Sequence, residues 1–290
     1  MAQLYTLSSE QLLITVAAHG AELQSLRTQD GREWLWQGDP TVWGRRSPSL
    51  FPIVGRLKDD ALTHNGRRYS LSRHGFARDR DFQIESADTA RAAFLLEDDA
   101  QTRAHYPFAF ALRLEYALHA NAVEITYRLR NPGEQTLYAS LGAHPAFVWP
   151  LARGAPRQAH SIVFADPETA PIRRLSGGLI AAQPIPTPVE GRTLELRDGL
   201  FVHDALIFDR LSSRSLSYSA PGTPVIRVEF EDFPHLGIWT KPGAGYICIE
   251  PWQGYDSPEQ FAGEFRDKPG VVALSGRQER SWRYSIHIDL

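Results

Sequence analysis

Residues 123–129 read VEITYRL, so that apolar side chains at the odd positions alternate with polar side chains at the even positions. A strand with one buried and one solvated face has this period of two. The same alternation recurs in 226–230 (IRVEF) and in 282–288 (WRYSIHI). We therefore expect antiparallel strands that each contribute one face to a hydrophobic core.

Turn signals separate these segments. The chain contains 22 glycines and 20 prolines, spread throughout, and turn-forming runs occur at Asn65-Gly66, Asn131-Pro132-Gly133, Asp198-Gly199, Pro221-Gly222 and Pro242-Gly243. The pattern of a capped short helix is found in 257–265 (SPEQFAGEF), where Ser257 would be the N-cap and Pro258 the first helical residue.

No internal repeat and no shift in composition divides the chain. The sequence therefore predicts an all-β fold, with a single domain over residues 1–290. Because the strands are many and the turns short, we expect two large antiparallel sheets packed as a sandwich.

Composition excludes several classes of partner. The net charge is -3 and no basic tract is present, so a nucleic-acid partner is not expected. No run of 18 apolar residues suggests a membrane span, and the first twenty residues do not resemble a signal peptide. We expect a cytoplasmic protein.

The one cysteine, Cys248, can form no intramolecular disulfide and no all-cysteine metal site. The composition specifies no oligomeric state.

Four segments interrupt the strand pattern with polar groups among glycine, proline and aromatic residues. They are 51–57 (FPIVGRL), 73–78 (RHGFAR), 142–147 (GAHPAF) and 249–254 (IEPWQG). Polar side chains held at the ends of strands are typical of binding and catalytic sites.

Glu250 follows the apolar run Tyr246–Ile249, which indicates a buried strand. Burial raises the pKa of a carboxyl and makes its carboxylate a stronger base. The alternative is a structural carboxylate that pairs with an arginine. Trp252 favours a sugar site, because an aromatic ring beside a carboxylate can hold the apolar face and the hydroxyls of a sugar together; Trp252 on its own would be interpreted as core.

His144 precedes a proline, which restricts it to an extended conformation and fixes its imidazole. Its ordinary pKa near neutrality suits proton transfer, whereas the alternative is a buried structural histidine. His74 is interpreted in the same two ways. Arg56 could bind ligand hydroxyls or phosphate, or could form an internal ion pair.

Motifs for other chemistries are absent. The sequence has no HExxH pair, no Gly-x-Ser-x-Gly elbow, no phosphate-binding loop and no dinucleotide-binding glycine motif. Three scattered histidines could bind zinc or iron, as in other double-sheet barrels, but none has metal-ligand spacing. We expect neither a metal nor another cofactor.

Five segments in order resemble the aldose 1-epimerase (mutarotase) family, and in particular its LacX-like bacterial branch. They are SPSLFPIVGRLKDD (47–60), RHGFARD (73–79), LGAHPAF (141–147), HDALIF (203–208) and FPHLGIWTKPGAGYICIEPWQG (233–254). Their order and spacing cover nearly the whole chain. The resemblance implies the galactose mutarotase-like β-supersandwich and a cofactor-independent isomerase that interconverts the α and β anomers of a hexose.

The resemblance also implies roles for the motif residues. Glu250 is similar to the family's general base and His144 to its general acid, which implies activity in the pH range where the carboxyl is ionised and the imidazole protonated. Residues similar to substrate contacts are His74, Arg56, Asp204 and Arg78, the last by its similarity to hexose-6-phosphate epimerases.

The chain departs from galactose mutarotases at two motifs. They carry Asn-Arg-Ile soon after the first arginine and Gly-Gly after the first histidine, whereas this chain has Leu57-Lys58-Asp59-Asp60 and Gly75-Phe76. These differences leave the sugar open, so the expected partner is an aldose or a sugar phosphate.

Three alternatives follow. The protein could be a hexose-6-phosphate 1-epimerase whose phosphate clamp uses Arg45, Arg46, Arg56 and Arg78. It could be a catalytically silent carbohydrate-binding protein on the same fold. It could be a carbohydrate lyase or hydrolase, in which Asp204 or Asp209 would supply the second carboxylate beside Glu250.

Overall fold

The computed structural model describes residues 3–290, and β-strands dominate it. The first half of the chain contains β1 (Leu4–Ser8), β2 (Leu12–Ala17), β3 (Glu22–Thr28), β4 (Ser49–Leu50), β5 (Ala61–His64), β6 (Arg67–Ser70), β7 (Gln83–Ala87), β8 (Arg91–Glu97), α1 (Ala100–His105), β9 (Ala111–His119), β10 (Ala122–Arg130), β11 (Leu137–Ala139), β12 (Leu141–Ala143) and β13 (Ala146–Val148).

The second half is also built of strands. They are β14 (Ser161–Phe164), β15 (Leu175–Ser176), β16 (Leu179–Ile180), β17 (Thr193–Glu195), β18 (Leu206–Phe208), β19 (Ser215–Ser219), β20 (Val225–Glu229), β21 (His235–Trp239), β22 (Tyr246–Gln253), β23 (Val272–Leu274) and β24 (Glu279–Asp289). Single 3₁₀ turns lie at Lys58–Asp60, Ala77–Asp79, Arg157–Ala159, Asp198–Phe201 and Phe265–Asp267.

Nine strands form one large antiparallel sheet in the order β17-β14-β19-β20-β24-β10-β9-β8-β7. The predicted alternation in 123–129, 226–230 and 282–288 is confirmed, because the apolar residues of all three segments are buried. Their register brings these residues together across neighbouring strands, as in the pairs Ile125 with Tyr284 and Val228 with Ile286.

A second sheet has the order β18-β21-β22-β12-β4, and β13 also pairs with β22. Ile247 and Ile249 of β22 belong to the same buried cluster as Ile125 and Trp282 of the nine-stranded sheet. The two sheets therefore face each other across one core, which confirms the predicted all-β sandwich. The strands β1-β2-β3 form a smaller sheet.

The short helix predicted at 257–265 is wrong. Ser257 is buried, its N–H donates to the carbonyl of Arg56 (2.8 Å), and its carbonyl accepts from Ile180 (2.9 Å). The N–H of Glu259 then donates to the carbonyl of Ile180 (3.0 Å). Because these backbone groups pair with distant chain, they are not available for helical hydrogen bonds.

The one α-helix among residues 3–290 lies at Ala100–His105, where sequence reasoning placed none. Asp99 is its N-cap: the carboxylate accepts from the N–H of Thr102 (2.6 Å), and the Thr102 hydroxyl accepts from the N–H of Asp99 (2.8 Å). This capping box was present in the sequence as Asp-x-x-Thr. Over residues 3–290, no helix has both the length and the apolarity needed to cross a membrane.

Candidate active site

Strand register places His144 across from Glu250. On one side of His144, Gly142 of β12 pairs with Trp252; on the other side, Ala146 of β13 pairs with Cys248. Both strands continue the same antiparallel register along β22. His144, midway between Gly142 and Ala146, therefore lies opposite Glu250, midway between Trp252 and Cys248. Its Nε2 lies 3.1 Å from Glu250 Oε2. The pairing of β12 and β13 with β22 therefore holds the two side chains together, and a sheet holds them more rigidly than a pair of loops would.

The two faces of β22 have different surroundings. Ile247 and Ile249 point into the core between the sheets, and the period of two sends Cys248, Glu250 and Trp252 to the opposite face. Every residue of β22 is buried. Glu250 is therefore a carboxyl on a strand without solvent exposure, as its position after an apolar run predicted.

Trp252 occupies space that two glycines provide. A Cβ on Gly237, in β21, would lie 2.5 Å from the Trp252 six-membered ring, and a Cβ on Gly142, in β12, would lie 2.6 Å from its Cδ1. Any other residue at either position would collide with the indole. The glycines of the LGAHPAF and FPHLGIW motifs thus shape the position of Trp252.

One cavity gathers most of the residues predicted for the site. Its lining consists of Trp43, Arg73, His74, Arg78, His144, Leu175, Asp204, Ala205, Trp239, Glu250, Trp252 and Asp256. A larger cavity, near Lys58, Arg68 and Phe261, contains none of the predicted site residues. The first cavity is therefore the candidate site.

Aromatic rings enclose the His144 imidazole. Trp43 stacks against it with ring centres 5.1 Å apart, Trp239 meets it edge-on at 5.9 Å, and His74 meets it edge-on at 5.7 Å. These contacts fix the ring plane of His144. They also exclude water from one side of the imidazole, which makes a charge on it costly.

Burial shifts the pKa values of the pair in opposite directions. Loss of solvent lowers the pKa of His144 to about 3. It raises the pKa of Glu250 well above the usual range, and the nearby Asp204 and Asp256 carboxylates raise it further. The raised pKa of Glu250 agrees with the expectation. The order of the two values is the reverse of the expected one, because desolvation disfavours the charged form of each group.

The pair nevertheless carries one proton over a wide pH range. A neutral imidazole beside a carboxylic acid has the same number of protons as an imidazolium beside a carboxylate. Although Nε2 and Oε2 are close, they are not aligned as a hydrogen bond, and Oε2 has no hydrogen-bond partner among residues 3–290. His144 Nδ1 and Trp252 Nε1 also lack partners there. These atoms can donate to or accept from a bound hydroxyl.

His74 and Asp204 reach the cavity from strained backbone. Both have φ of 67°, which is rare for residues other than glycine and is common at functional positions. The N–H of Gly55 donates to His74 Nδ1 (3.1 Å). Nδ1 is thus an acceptor, which assigns the ring proton to Nε2 when the imidazole is neutral.

Arg78 also lines the cavity, as predicted. One of its terminal nitrogens donates to the carbonyl of Arg73 (2.7 Å), and its buried Nε, 3.7 Å from Asp79 Oδ2, has no hydrogen-bond partner among residues 3–290. Burial lowers the pKa of Arg78 to about 10. Arg45 and Arg46, considered for a phosphate clamp, do not line the cavity, because Arg45 pairs with Asp79 and Arg46 with Gln24.

Arg56 lies outside the lining. Its guanidinium forms a two-pronged ion pair with Asp60 (2.6 and 2.7 Å) and donates to the carbonyl of Gly177 (3.2 Å). Its backbone N–H donates to Asp256 (2.7 Å). The interpretation of Arg56 as an internal ion-pair partner, left open from sequence, describes its side chain in this structure.

Sequence reasoning missed six cavity residues: the polar or aromatic Arg73, Trp43, Trp239 and Asp256, and the apolar Leu175 and Ala205. Arg73 directly precedes His74 in a motif already singled out, and no ion pair or hydrogen bond engages its guanidinium within residues 3–290. Its position was thus within reach of sequence analysis. Trp43 lies in a segment of no regular structure, and no local pattern indicates that it contacts His144.

Comparison with known proteins identifies the family of this chain. The family model described as aldose 1-epimerase matches residues 3–271. The plasmid-encoded Protein LacX of Lactococcus lactis subsp. lactis is 32% identical over 293 residues, which cover 97% of this chain and 98% of the relative.

Solved structures show the same fold. A galactose mutarotase related enzyme from Lactobacillus acidophilus superposes with a TM-score of 0.95 at 32% identity, covering 99% of this chain and 98% of the other. A galactose mutarotase-like protein from Lactobacillus casei gives a TM-score of 0.93 at 26% identity, covering 99% and 100%. With a match over most of the chain, the family predicted from the motifs is confirmed: this chain belongs to the aldose 1-epimerase family.

Proposed function

We propose that the protein is an aldose 1-epimerase that interconverts the α and β anomers of a hexose. The observation that carries this proposal is the contact of His144 Nε2 with Glu250 Oε2, 3.1 Å apart, in a cavity that also holds Trp252. The reaction needs one proton removed from the anomeric hydroxyl and one delivered to the ring oxygen. A base and an acid side by side meet that need without a covalent intermediate.

The His144–Glu250 pair can complete a catalytic cycle while holding a single titratable proton. Glu250, when ionised, takes the proton of the anomeric hydroxyl, while protonated His144 gives its proton to the ring oxygen and the C1–O5 bond breaks. Rotation about C1–C2 then presents the other face of the aldehyde, and ring closure returns each proton. The pair begins and ends with one proton, so no net exchange with solvent is required.

Other cavity residues hold the sugar. The Trp252 and Trp43 rings offer apolar surfaces to the C–H faces of a pyranose. We assign the hydroxyls to His74 Nε2, the Asp204 carboxylate and the Arg78 guanidinium, which all line the same cavity. These groups have unequal charge, which favours one orientation of the ring over the others.

Saturation-transfer NMR between the anomers of glucose and other aldoses tests the proposal. Glu250→Gln and His144→Asn are each expected to lower kcat about 10²–10⁴-fold. Matched controls are Glu168→Gln and His160→Asn, which alter a buried carboxylate and a buried imidazole outside the cavity. The controls should exchange anomers at the wild-type rate per folded molecule.

Two results would contradict the assignment. Near-normal exchange in both cavity variants would remove the pair from the mechanism. Tight sugar binding by calorimetry with no exchange by the wild-type protein would instead make it a silent carbohydrate-binding protein on this fold.

A second candidate function is a hexose-6-phosphate 1-epimerase, favoured by Arg73. Its guanidinium lines the cavity and makes no ion pair or hydrogen bond within residues 3–290. An arginine fork matches phosphate oxygens. A charge-assisted hydrogen bond contributes about 1.5–3 kcal/mol, so Arg73→Met should lower kcat/KM for glucose 6-phosphate about 10–100-fold and change that for glucose little.

Arg56→Met is the matched comparison, because the Arg56 guanidinium is already paired with Asp60. If Arg56→Met rather than Arg73→Met lowers kcat/KM for glucose 6-phosphate, the clamp contains Arg56, as in the alternative considered from sequence. Equal rates for glucose and its 6-phosphate in all three proteins would eliminate phosphate recognition.

A further inference from the structure

Three side chains of types that bind metals converge at the cavity, two of them in its lining. One nitrogen of His144, the sulfur of Cys248 and a carboxylate oxygen of Glu250 all lie within 4.8 Å of one another. All three residues are buried, with exposures of 7%, 0% and 1%. The mechanism proposed above uses His144 and Glu250 and gives Cys248 no role.

The backbone fixes this arrangement. Cys248 and Glu250 are two positions apart on β22 and so project from the same face. His144 lies opposite Glu250, and the residue paired with Cys248 on β13 is Ala146, whose side chain is a single methyl group. No large side chain on β13 therefore separates the thiol from the other two groups at this pair.

A second observation points to a ligand between these groups. Glu250 Oε2, which lies 3.1 Å from His144 Nε2, is buried, yet it has no hydrogen-bond partner among residues 3–290. Buried polar atoms are satisfied in most proteins, and exceptions commonly mark functional positions. Lone pairs of nitrogen and oxygen, with a thiol nearby, are what a borderline-soft cation binds.

We propose that His144, Cys248 and Glu250 form a binding site for a borderline-soft divalent cation such as Zn²⁺. The cation takes three protein ligands, and its fourth position faces the sugar cavity. Mg²⁺ and Ca²⁺ are excluded by their preference for oxygen ligands. From the neutral pair and the neutral thiol, binding releases two protons, one from Cys248 and one from Glu250, so that charge and atoms balance.

The consequence for activity rests on the proposed function. A cation on Glu250 and His144 occupies the lone pairs that would accept and deliver protons. It therefore inhibits anomer exchange, and its removal by a chelator restores the rate. Cys248 lies outside the cavity lining and contributes only to the cation site, so the two functions can be separated by substitution.

The experiment titrates the purified full-length protein with Zn²⁺ by calorimetry and with Cd²⁺ by ultraviolet absorption. We expect one equivalent to bind, and Cd²⁺ to produce a thiolate-to-metal charge-transfer band. Cys248→Ala should abolish the band and weaken Zn²⁺ binding tenfold or more, as expected for loss of a ligand. Cys248→Ser, closer in volume, serves if the alanine variant folds poorly.

Activity provides the second measurement. Zn²⁺ should inhibit the wild-type protein reversibly, whereas Cys248→Ala should exchange anomers at the normal rate and resist Zn²⁺; Mg²⁺ should affect neither. Absence of the Cd²⁺ band in the wild type, or equal Zn²⁺ affinity in Cys248→Ala, would overturn the cation site while leaving the epimerase proposal intact. A band in a protein that exchanges no sugar would support the site and contradict the epimerase.

Discussion

The two faces of β22 are equally buried but chemically different. On one face Ile247 and Ile249 join the main hydrophobic core. On the other, Glu250 lies 3.1 Å from His144, and Glu250 Oε2, His144 Nδ1 and Trp252 Nε1 have no hydrogen-bond partner within residues 3–290. Burial on the first face stabilises the fold. Burial on the second costs stability and in return perturbs the pKa values that the proposed reaction uses.

Substitutions on the two faces should therefore have opposite consequences. Glu250→Gln is expected to lower kcat about 10²–10⁴-fold with little loss of stability. Ile249→Ala is expected to lower the free energy of unfolding by about 2–5 kcal/mol, because it leaves a cavity in the core, while the folded fraction keeps its rate. Urea unfolding and anomer exchange on both variants measure this. An equal loss of kcat per folded molecule in Ile249→Ala would break the distinction.

The glycines under Trp252 sharpen the comparison. Gly237→Ala introduces a Cβ 2.5 Å from the indole ring, so the ring must move. A displacement of about 1 Å can reduce a rate about 10²-fold, and we expect a loss of that order. Gly199→Ala is the control, since its Cβ would meet no atom within 4 Å. If Gly237→Ala is fully active, Trp252 does not position the sugar.

The pH dependence of the rate should reflect the pKa values of His144 and Glu250 on the polar face of β22. Activity should persist wherever the pair holds one proton, which extends from about pH 3, the lowered pKa of His144, to the raised pKa of Glu250. Acid then inactivates by adding a second proton, and alkali by removing the shared one. A pH–rate profile of kcat measures both limits. An acid limit near the ordinary histidine pKa would show that the cavity does not desolvate His144.

A histidine outside the cavity should have the smallest effect on the rate, because it alters only the pH dependence of stability. Burial lowers the pKa of His235 to about 4, so the unfolded chain binds a proton that the folded protein does not. The stability it contributes is complete above the unfolded value of about 6.5 and is lost as pH falls toward 4, by about 1.4 kcal/mol per pH unit. His235→Gln should reduce the slope of unfolding free energy against pH by that amount. An unchanged slope would contradict the assigned pKa.

Part of the site was within reach of sequence because its signals are local. Glu250 ends an apolar run, and His144 precedes a proline within a motif. The two arginines show the limit of such signals. Arg56 and Arg73 both stand in motifs, but only Arg73 lines the cavity, because Asp60 lies within reach of Arg56. Which of the two arginines faces the cavity depends on the side chains near each one in the folded protein, and composition and spacing do not specify these.

By itself, the sequence determined that 123–129, 226–230 and 282–288 are strands, which face of each is apolar, and to which family the chain belongs. These follow from a period of two and from short motifs, which depend on neighbouring residues alone. The tertiary structure decided that His144 faces Glu250, that Trp43 covers the imidazole, and that 257–265 pairs with distant backbone rather than forming a helix. Each of these depends on register between strands far apart in the chain, and long-range pairing is set by the packing of the whole fold.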